Sequence, residues 1–401
     1  MGFVKGHNVL NGYLLNVLRP VKSTRFLLLQ RNLIDCINYV NVTLRAMFLL
    51  SEYSKKEETS MNRLIQCGLG LVGGIAALFA VSSAVLAAEF KFDLANEYQA
   101  SSLPGQTDAD FAKAVAITSG GRIAVTNHPG GGLGFKSRQH FEAVMDGAVP
   151  IASTPFSSLE KIEPIFDLQS LPFITTTVNE TEAMFIVAKP YYEKAFNKHN
   201  QTMLYGAPWT PQGIWEQTKI RKPEDLKGLK IRTYNAQGAE VLKAAGASPI
   251  QLSWADVIPA LSNGTITGVL TSDEGGVNSK FWELGCKYFN SIGFAMGINA
   301  VAMNLDVYND LPVEMKIALR VAADRAEQAA WQRARSRVSA NKDTLKSVGA
   351  EYVEDVPASV IDHIKVAAAP LKKAWIKNMG ADQAAKIMAE FDAFMKANYG
   401  G

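Results

Sequence analysis

The feature that most constrains this fold is an unbroken helical segment from Leu311 to about Val348. Alanines recur in it at helical spacing, and it contains no glycine or proline after Pro312. An α-helix rises about 1.5 Å per residue, so this segment would span about 50 Å. One small domain cannot bury a helix of that length. We therefore expect it to run across the back of the molecule and to connect two lobes.

Short apolar segments alternate with helical segments before the long helix. The expected strands are 91–95, 122–126, 149–153, 229–233, 249–252 and 269–270. The expected helices are 107–119 (capped by Thr107 or Asp108), 137–146, 236–245 and 253–261, with two more after Pro357. Residues 271–276 are polar and glycine-rich and are expected to form a loop. This alternation predicts two α/β units with mostly parallel sheets and a ligand cleft between them.

The composition excludes several classes of protein. Lys and Arg number 41 against 38 Asp and Glu, whereas nucleic-acid-binding proteins usually carry a concentrated basic excess. The three cysteines, Cys36, Cys67 and Cys286, are too few and too scattered for a disulfide scaffold or a structural zinc site. We therefore predict no nucleic-acid partner and no cofactor.

The N-terminal region has the pattern of a targeting segment. After Met61, one positive residue is followed by an apolar run that ends in small residues, as in a secretory signal. We predict a signal peptide at 61–88 and a periplasmic location, with 1–60 a mis-annotated upstream extension. The alternative is a membrane-tethered sensory protein that retains 68–88 as an anchor behind a genuine cytoplasmic extension.

The sequence contains no recognisable catalytic constellation. It has no GxSxG elbow, HExxH pair, Walker loop or CxxC pair, and the histidines after residue 88 are isolated. The glycines at 130–132 lack the lysine and hydroxyl residue that would complete a phosphate-binding loop. We therefore predict that the protein is not an enzyme, with a hydrolase acting in the cleft as the enzymatic alternative.

Arg232 is the strongest candidate for a binding residue. It lies in an expected buried strand beside Leu229 and Ile231, and burying a guanidinium is costly unless the charge is paired. Its partner is either an internal carboxylate or an anionic ligand, because the planar fork of arginine grips a carboxylate through two parallel hydrogen bonds. Both alternatives remain open at this stage.

Two further groups of residues have an ordinary and a functional interpretation. The tryptophans Trp209, Trp215, Trp254 and Trp282 either pack in the core or form an apolar wall of the cleft. Asp273 and Glu274 are weak candidates for holding a cation. A solvated loop is the better interpretation there, since hard metal sites usually have more oxygen ligands nearby.

Several segments in combination identify a family. They are Leu226-Lys227-Gly228-Leu229-Lys230-Ile231-Arg232, Gly246-Ala247-Ser248-Pro249, Trp254-Ala255-Asp256-Val257-Ile258-Pro259-Ala260-Leu261 and Gly264-Thr265-Ile266-Thr267-Gly268, with Leu171-Pro172-Phe173 and Asn304-Leu305-Asp306. Together they resemble the substrate-binding receptors of tripartite ATP-independent periplasmic (TRAP) transporters, the DctP-like family. The resemblance covers essentially all of 89–401.

This resemblance implies an α/β, two-lobed periplasmic binding protein of the venus-flytrap, class II-like type, with a long helix connecting both lobes. Its partners would be a small organic acid and the permease subunits of the inner membrane. Lobe I would hold 89–209 and 298–337, and lobe II 210–297 and 338–401. The crossings between the lobes would lie near Trp209 and Gly297.

The resemblance also gives Arg232 the role of binding the substrate carboxylate. The family usually has an acidic residue where this chain has Thr267, and the loop 268–274 also departs from the family pattern. These departures argue against selectivity for sugar acids or dicarboxylates. The tryptophans and the lack of a second obvious arginine favour a monocarboxylate with an apolar or aromatic body, such as a 2-oxo or 2-hydroxy acid. The expected substrate-binding residues are Arg232, Trp209, Trp215, Tyr234, Asn235, Trp254, Thr271, Ser272, Glu97, Phe135, Lys136 and Phe156.

Overall fold

The computed structural model describes residues 87–399. The predicted extension 1–60 and all but the last two residues of the predicted signal 61–88 therefore lie outside the described residues. The strands are β1 (Phe90–Asn96), β2 (Ile123–His128), β3 (Ile151–Pro155), β4 (Gln201–Pro208), β5 (Gln212–Glu216), β6 (Ile231–Thr233), β7 (Ile250–Gln251), β8 (Gly268–Ser272), β9 (Tyr288–Asn290), β10 (Ile298–Asn304) and β11 (Glu351–Val353).

The α-helices are interspersed with these strands along the chain. They are α1 (Leu103–Thr118), α2 (Ser137–Met145), α3 (Val178–Lys198), α4 (Ala236–Ala244), α5 (Val257–Ser262), α6 (Asp273–Asn278), α7 (Leu305–Asn309), α8 (Val313–Ser347), α9 (Ala358–Met379) and α10 (Ala381–Tyr399). No helix within 87–399 is both long and apolar enough to span a membrane.

The strands form two separate sheets, one in each lobe. Their orders are β2-β1-β3-β10-β4 and β11-β9-β5-β8-β6-β7. The prediction of mostly parallel sheets is only partly right. The chain leaves the first sheet after β4 and enters the second with β5, which runs antiparallel to β8 and β9. It returns with β10, which runs antiparallel to β3 and β4. Each crossing thus inserts one antiparallel strand into the sheet that it enters. The two-lobed α/β fold itself is confirmed.

The long helix α8 connects the two lobes, as expected. Its first half packs against α1 and β4 of the first lobe, where the Thr118 hydroxyl donates to the carbonyl of Ala318 (2.9 Å). Its second half packs against α6 and β11 of the second lobe, where Arg337 pairs with Glu274 (2.8 Å). The helix runs for 35 residues without an internal proline or glycine, so nothing in its backbone interrupts the i to i−4 hydrogen bonds.

The first helix begins earlier than predicted. Ser102, rather than Thr107 or Asp108, is the N-cap, and its hydroxyl oxygen accepts from the amide of Gly105 (3.2 Å). Pro104 lies in the first turn, where its missing N–H costs no hydrogen bond. The Thr107 hydroxyl instead donates to the Leu103 carbonyl within the helix (2.8 Å).

The predicted loop 271–276 is also wrong. Thr271 and Ser272 end strand β8, and α6 starts at Asp273 with Ser272 as its N-cap. The glycines of this segment serve close packing, because a Cβ at Gly276 would collide with the ring of Trp215.

The two C-terminal helices contact both halves of the molecule. Helix α9 packs on α4 and on the 3₁₀ turn Pro164–Ser170, and α10 packs on α3. The exact lobe boundaries therefore stay a prediction, although every strand of the first sheet lies in the segments expected for lobe I.

Candidate functional site

The two crossings between the lobes lie side by side. The amide of Trp209 donates to the carbonyl of Gly297 (2.9 Å), and the amide of Gln212 donates to the carbonyl of Ala295 (2.8 Å). These short paired segments connect β4 to β5 and lead into β10. They form the closed end of a cavity between the lobes.

Residues of both lobes line a small cavity beside these crossings. Its aromatic lining consists of Tyr98, Trp209, Tyr234 and Trp254. Its polar lining consists of Ser157, Gln212, Arg232, Thr271 and Ser272. The size and lining suit a small ligand with one charged end.

Arg232 lies in β6 between strands β7 and β8 and is only 3% exposed. Its Nε donates to the carbonyl of Leu252 (3.0 Å), its only hydrogen bond to residues 87–399. Burial lowers its pKa to about 10, against the opposing effect of nearby Tyr98 and Glu97. The guanidinium remains charged at neutral pH, and its two terminal nitrogens have no protein acceptor in the described part of the chain.

Aromatic rings surround this cation. The guanidinium carbon lies 5.5 Å from the ring centre of Trp254 and 6.0 Å from that of Tyr234. The indole N–H of Trp209 donates to Asn299 (2.9 Å) and that of Trp254 to Gln99 (3.3 Å). Because each indole N–H is already bonded to protein, both indole rings offer the cavity apolar surface, and the Trp254 ring also makes a cation–π contact with the guanidinium.

The lobes touch one another around the cavity. Glu97 of the first lobe accepts from the amide of Ser137 (2.9 Å) and from the amide of Ala255 in the second lobe (3.3 Å). Lys136 pairs with Asp256 across the same boundary (2.9 Å). The cleft is therefore closed in this structure. The Glu97 carboxylate accepts hydrogen bonds from two backbone amides rather than from Arg232.

Comparison with known proteins identifies the family. The sequence model of the bacterial extracellular solute-binding proteins, family 7 (DctP), matches residues 94–378. The chain belongs to this family. The resemblance to TRAP receptors predicted from the sequence is thus confirmed, and proteins of this family are binding proteins rather than enzymes.

Three relatives illustrate the range of solutes. DctP6 of Bordetella pertussis, an extracytoplasmic solute receptor binding pyroglutamic acid, is 27% identical, with a TM-score of 0.71 over 76% of this chain and 99% of that chain. The ectoine-binding periplasmic protein TeaA of Halomonas elongata is 26% identical over 57% of this chain and 68% of its own length. The sialic acid-binding periplasmic protein SiaP of Vibrio cholerae is 25% identical over 71% of this chain and 89% of its own length.

In this family 7 protein, six of the expected site residues line one cavity. They are Trp209, Arg232, Tyr234, Trp254, Thr271 and Ser272. The expected list omitted five residues that also line it: Tyr98, Pro155, Ser157, Gln212 and Gly297. Gln212 could have been predicted from the sequence as a lining residue, because it is a polar residue shortly after the expected crossing at Trp209. Its side-chain oxygen accepts from the Tyr234 hydroxyl (2.6 Å).

The other expected residues lie outside this cavity. Trp215 is fully buried against Phe281 and Phe289, and Asn235 caps α4 by accepting from the amide of Gly238 (3.0 Å). Phe135 packs on the small apolar cluster around Val144.

Three more expected residues are close to the cavity without lining it. Glu97 and Lys136 make the contacts between the lobes described above. Phe156 packs in an aromatic cluster, with its ring centre 4.4 Å from that of Tyr192.

The two acidic residues after β8, Asp273 and Glu274, are buried, and their carboxylates are hydrogen-bonded to other side chains of the protein. Asp273 accepts from the Thr210 hydroxyl, and Glu274 pairs with Arg337 (2.8 Å) and accepts from Asn278 (2.6 Å). No group of three or more potential His, Cys, Asp or Glu metal ligands is present between residues 87 and 399. The pair therefore connects the crossing at Thr210 to α6 and α8.

Asp273 gives a testable pH dependence. Burial raises its pKa from 3.8 to about 7. Between about pH 4 and 7 the folded protein keeps a proton that the unfolded chain has released, so this group's contribution to stability is lost as the pH rises. Because of Asp273, we expect the free energy of unfolding of the wild type to fall by about 2–4 kcal/mol between about pH 4 and 7. Asp273→Asn should lack this fall. Urea unfolding at a series of pH values measures it, with the exposed Asp343→Asn as control. Identical pH profiles for wild type and Asp273→Asn would contradict the assignment.

Proposed function

We propose that this receptor binds a small monocarboxylate in the cavity between its lobes and delivers it to a TRAP-type permease. The observation that carries the proposal is the buried guanidinium of Arg232, whose terminal nitrogens have no protein acceptor within residues 87–399. A carboxylate would supply two acceptors with the geometry of the guanidinium fork. The hydroxyls of Thr271 and Ser272 lie in the same cavity and are suited to donate to it.

The charge of the lining supports one carboxylate rather than two. Arg232 is the single ionised side chain among the lining residues, and burial raises the pKa of Tyr98 and Tyr234 so that both phenols stay neutral. A second carboxylate would be desolvated without a cation, which is strongly unfavourable. We therefore expect dicarboxylates not to bind.

The aromatic walls support a compact, largely apolar body for the ligand. Tyr98 packs edge-on against Trp209, with ring centres 4.7 Å apart, and also touches Trp254 (5.7 Å). Such walls favour a ring or a branched carbon skeleton. Pyroglutamate, the solute named for DctP6, joins the 2-oxo and 2-hydroxy acids and the aromatic acids as a candidate.

A thermal-shift screen of the purified protein tests this function. A ligand at 100 times its dissociation constant adds about 2.7 kcal/mol of stability, which raises the melting temperature measurably. We expect small monocarboxylates to raise it and dicarboxylates of similar size to have no effect. A panel in which only neutral or cationic compounds act would contradict the proposal.

We also propose that export depends on a signal at 61–88, with Met61 as the natural start. The apolar run and its small-residue end support this. The mature receptor would then have lobe I at 89–209 and 298–337 and lobe II at 210–297 and 338–401. N-terminal sequencing of the mature protein should start at Ala88 or Glu89. A retained 68–88 segment would instead favour the tethered sensory protein.

A further inference from the structure

Both N–H groups of Trp209 are held by the second crossing and by the strand β10 that follows it. The backbone amide donates to the carbonyl of Gly297 (2.9 Å), and the indole N–H donates to the side-chain oxygen of Asn299 (2.9 Å). Asn299 is 0% exposed and lies in the first sheet, opposite Ala207 of β4. The ring of Trp209 is therefore attached to the first lobe, although residues of both lobes line the cavity that it faces.

Asn299 connects the indole to a buried carboxylate. The Asn299 side-chain nitrogen donates to the hydroxyl oxygen of Ser153 (3.2 Å), and the Ser153 hydroxyl hydrogen-bonds in turn to Asp108. Asp108 is only 1% exposed and also accepts from the Tyr205 hydroxyl (2.8 Å). A hydroxyl accepts and donates at the same time. The donors therefore run in one direction, from the indole through Asn299 and Ser153 to Asp108.

A second chain of donors reaches the same carboxylate from Tyr98. The backbone amide of Tyr98 donates to the side-chain oxygen of Asn96 (2.8 Å), and the Asn96 nitrogen donates to Asp108 (2.7 Å). The carbonyl of Tyr98 accepts from the amide of Gly130 (2.8 Å), one of the three glycines at 130–132. Gly130 has a positive φ of 68°, which glycine adopts without strain. The backbone of Tyr98 is thus held on both sides.

These two chains of donors order the aromatic wall that the first lobe contributes to the cavity. The rings of Tyr98 and Trp209 pack edge-on, with centres 4.7 Å apart. The residues that make up the chains lie in α1, β1, β3 and β10, which all belong to the first lobe. Arg232 comes from the second lobe. A wall that is ordered in advance loses less side-chain entropy on binding, so it can select the ligand body separately from the arginine that binds the charge.

We propose that Asn299 is a positioning residue for ligand selection. By holding the indole of Trp209 beside Tyr98, it gives the receptor a preference for acids with a ring. The proposal rests on the monocarboxylate function above and assigns part of its selectivity to a residue that does not line the cavity. An indole N–H that is buried without a partner is unfavourable. Loss of the Asn299 acceptor would therefore favour other orientations of the Trp209 ring.

Matched pairs of acids test this role. The pairs are mandelate and lactate, phenylglyoxylate and pyruvate, in which a methyl group replaces the phenyl ring, and pyroglutamate and N-acetylalanine, in which the ring is opened. Calorimetry gives the dissociation constants for the wild type, for Asn299→Leu, which removes the acceptor of the indole, and for Ser153→Ala, which removes the next hydroxyl. Asn304→Leu is the matched control, because it removes another buried amide of β10 that bonds to the carbonyl of Val144 (2.8 Å) and not to this chain of donors.

We expect the wild type and Asn304→Leu to bind the ring-bearing member of at least one pair about 10-fold or more tightly than its partner. Asn299→Leu should reduce that preference to less than about 3-fold by weakening the ring-bearing member alone. Ser153→Ala should cause a smaller reduction, and it keeps the test valid if the leucine variant does not fold.

Nuclear magnetic resonance adds a readout that loss of stability alone does not change. The indole N–H resonance of Trp209, assigned with Trp209→Phe, reports directly on the hydrogen bond to Asn299. We expect this resonance to shift in Asn299→Leu and to stay in place in Asn304→Leu.

Three results would overturn the role of Asn299. Equal weakening of both members of each pair in Asn299→Leu would show a merely structural contribution. Unchanged constants, or an unshifted Trp209 resonance, would show that the ring keeps its position without this acceptor. A wild type without a preference for the ring in any pair would show that the wall does not select. Failure of every acid to bind the wild type is a different outcome, because it removes the monocarboxylate function as well.

Discussion

Replacing Arg232 by alanine is expected to weaken binding of the carboxylate ligand by about 30- to 1,000-fold, the equivalent of about 2–4 kcal/mol. The guanidinium is buried, and its terminal nitrogens lack an acceptor among residues 87–399. The ligand carboxylate would supply that acceptor through charge-assisted hydrogen bonds. Without the arginine, the carboxylate would be buried with no cation in the lining. Isothermal titration with the most effective acid of the screen measures the loss.

Two further variants separate the causes of this effect. Arg232→Lys keeps a positive charge but loses the planar fork, so we expect an intermediate loss of affinity. Lys230→Ala removes an exposed cation two residues away in the chain and should change the dissociation constant less than 2-fold. Ligand binding that survives Arg232→Ala undiminished would show that the carboxylate is held elsewhere.

Trp215→Ala is expected to lower the free energy of unfolding by about 3–5 kcal/mol. The ring is 0% exposed and packs between Phe281, Phe289 and the backbone of Gly276, and its N–H donates to the carbonyl of Ser272 (3.1 Å). Removing it leaves a cavity that these aromatic neighbours cannot refill without moving β5. Urea-induced unfolding followed by circular dichroism measures the loss.

The matched control is Trp282→Ala, which removes a half-buried tryptophan from the edge of the same cluster. We expect it to cost less than half as much stability. If Trp215→Ala were as stable as the wild type but bound the ligand poorly, Trp215 would belong to the site rather than to the core.

The long helix and Arg232 could be found from the sequence for simple reasons. A long segment of good helix formers without internal glycine or proline forms one continuous helix. The predicted range 311–348 and the observed range Val313–Ser347 therefore differ only at the ends. Arg232 follows the apolar Ile231 in a strand that was expected to be buried, and burial of a guanidinium requires a partner. Both arguments use only neighbouring residues.

The tryptophans show what such reasoning cannot predict, namely which side of a fully buried strand a side chain faces. All five residues of β5 are buried, so no alternation of polar and apolar residues indicates which side Trp215 faces. The direction of that ring depends on Gly276, whose missing side chain makes room for it. Asn235 differs, because an asparagine just before a helix is a common N-cap and its role could have been inferred.

Ser157 was missed because it gains its significance from a distant segment. It lies just after β3, whereas Arg232 lies in β6. Only the folded arrangement brings the two residues to one cavity. Sequence patterns report periodicity and composition, and neither contains information about contacts between segments this far apart.

The most direct test of the central claim changes the ligand and leaves the protein intact. The acid with the largest thermal shift is compared with its primary amide, which has nearly the same shape but no charge, by titration calorimetry on the wild type. Because we propose that the buried charge of Arg232 is the basis of recognition, we predict that the amide binds at least about 100-fold more weakly. Equal affinity for the acid and its amide would contradict the account, because the guanidinium would then contribute nothing to recognition of a carboxylate.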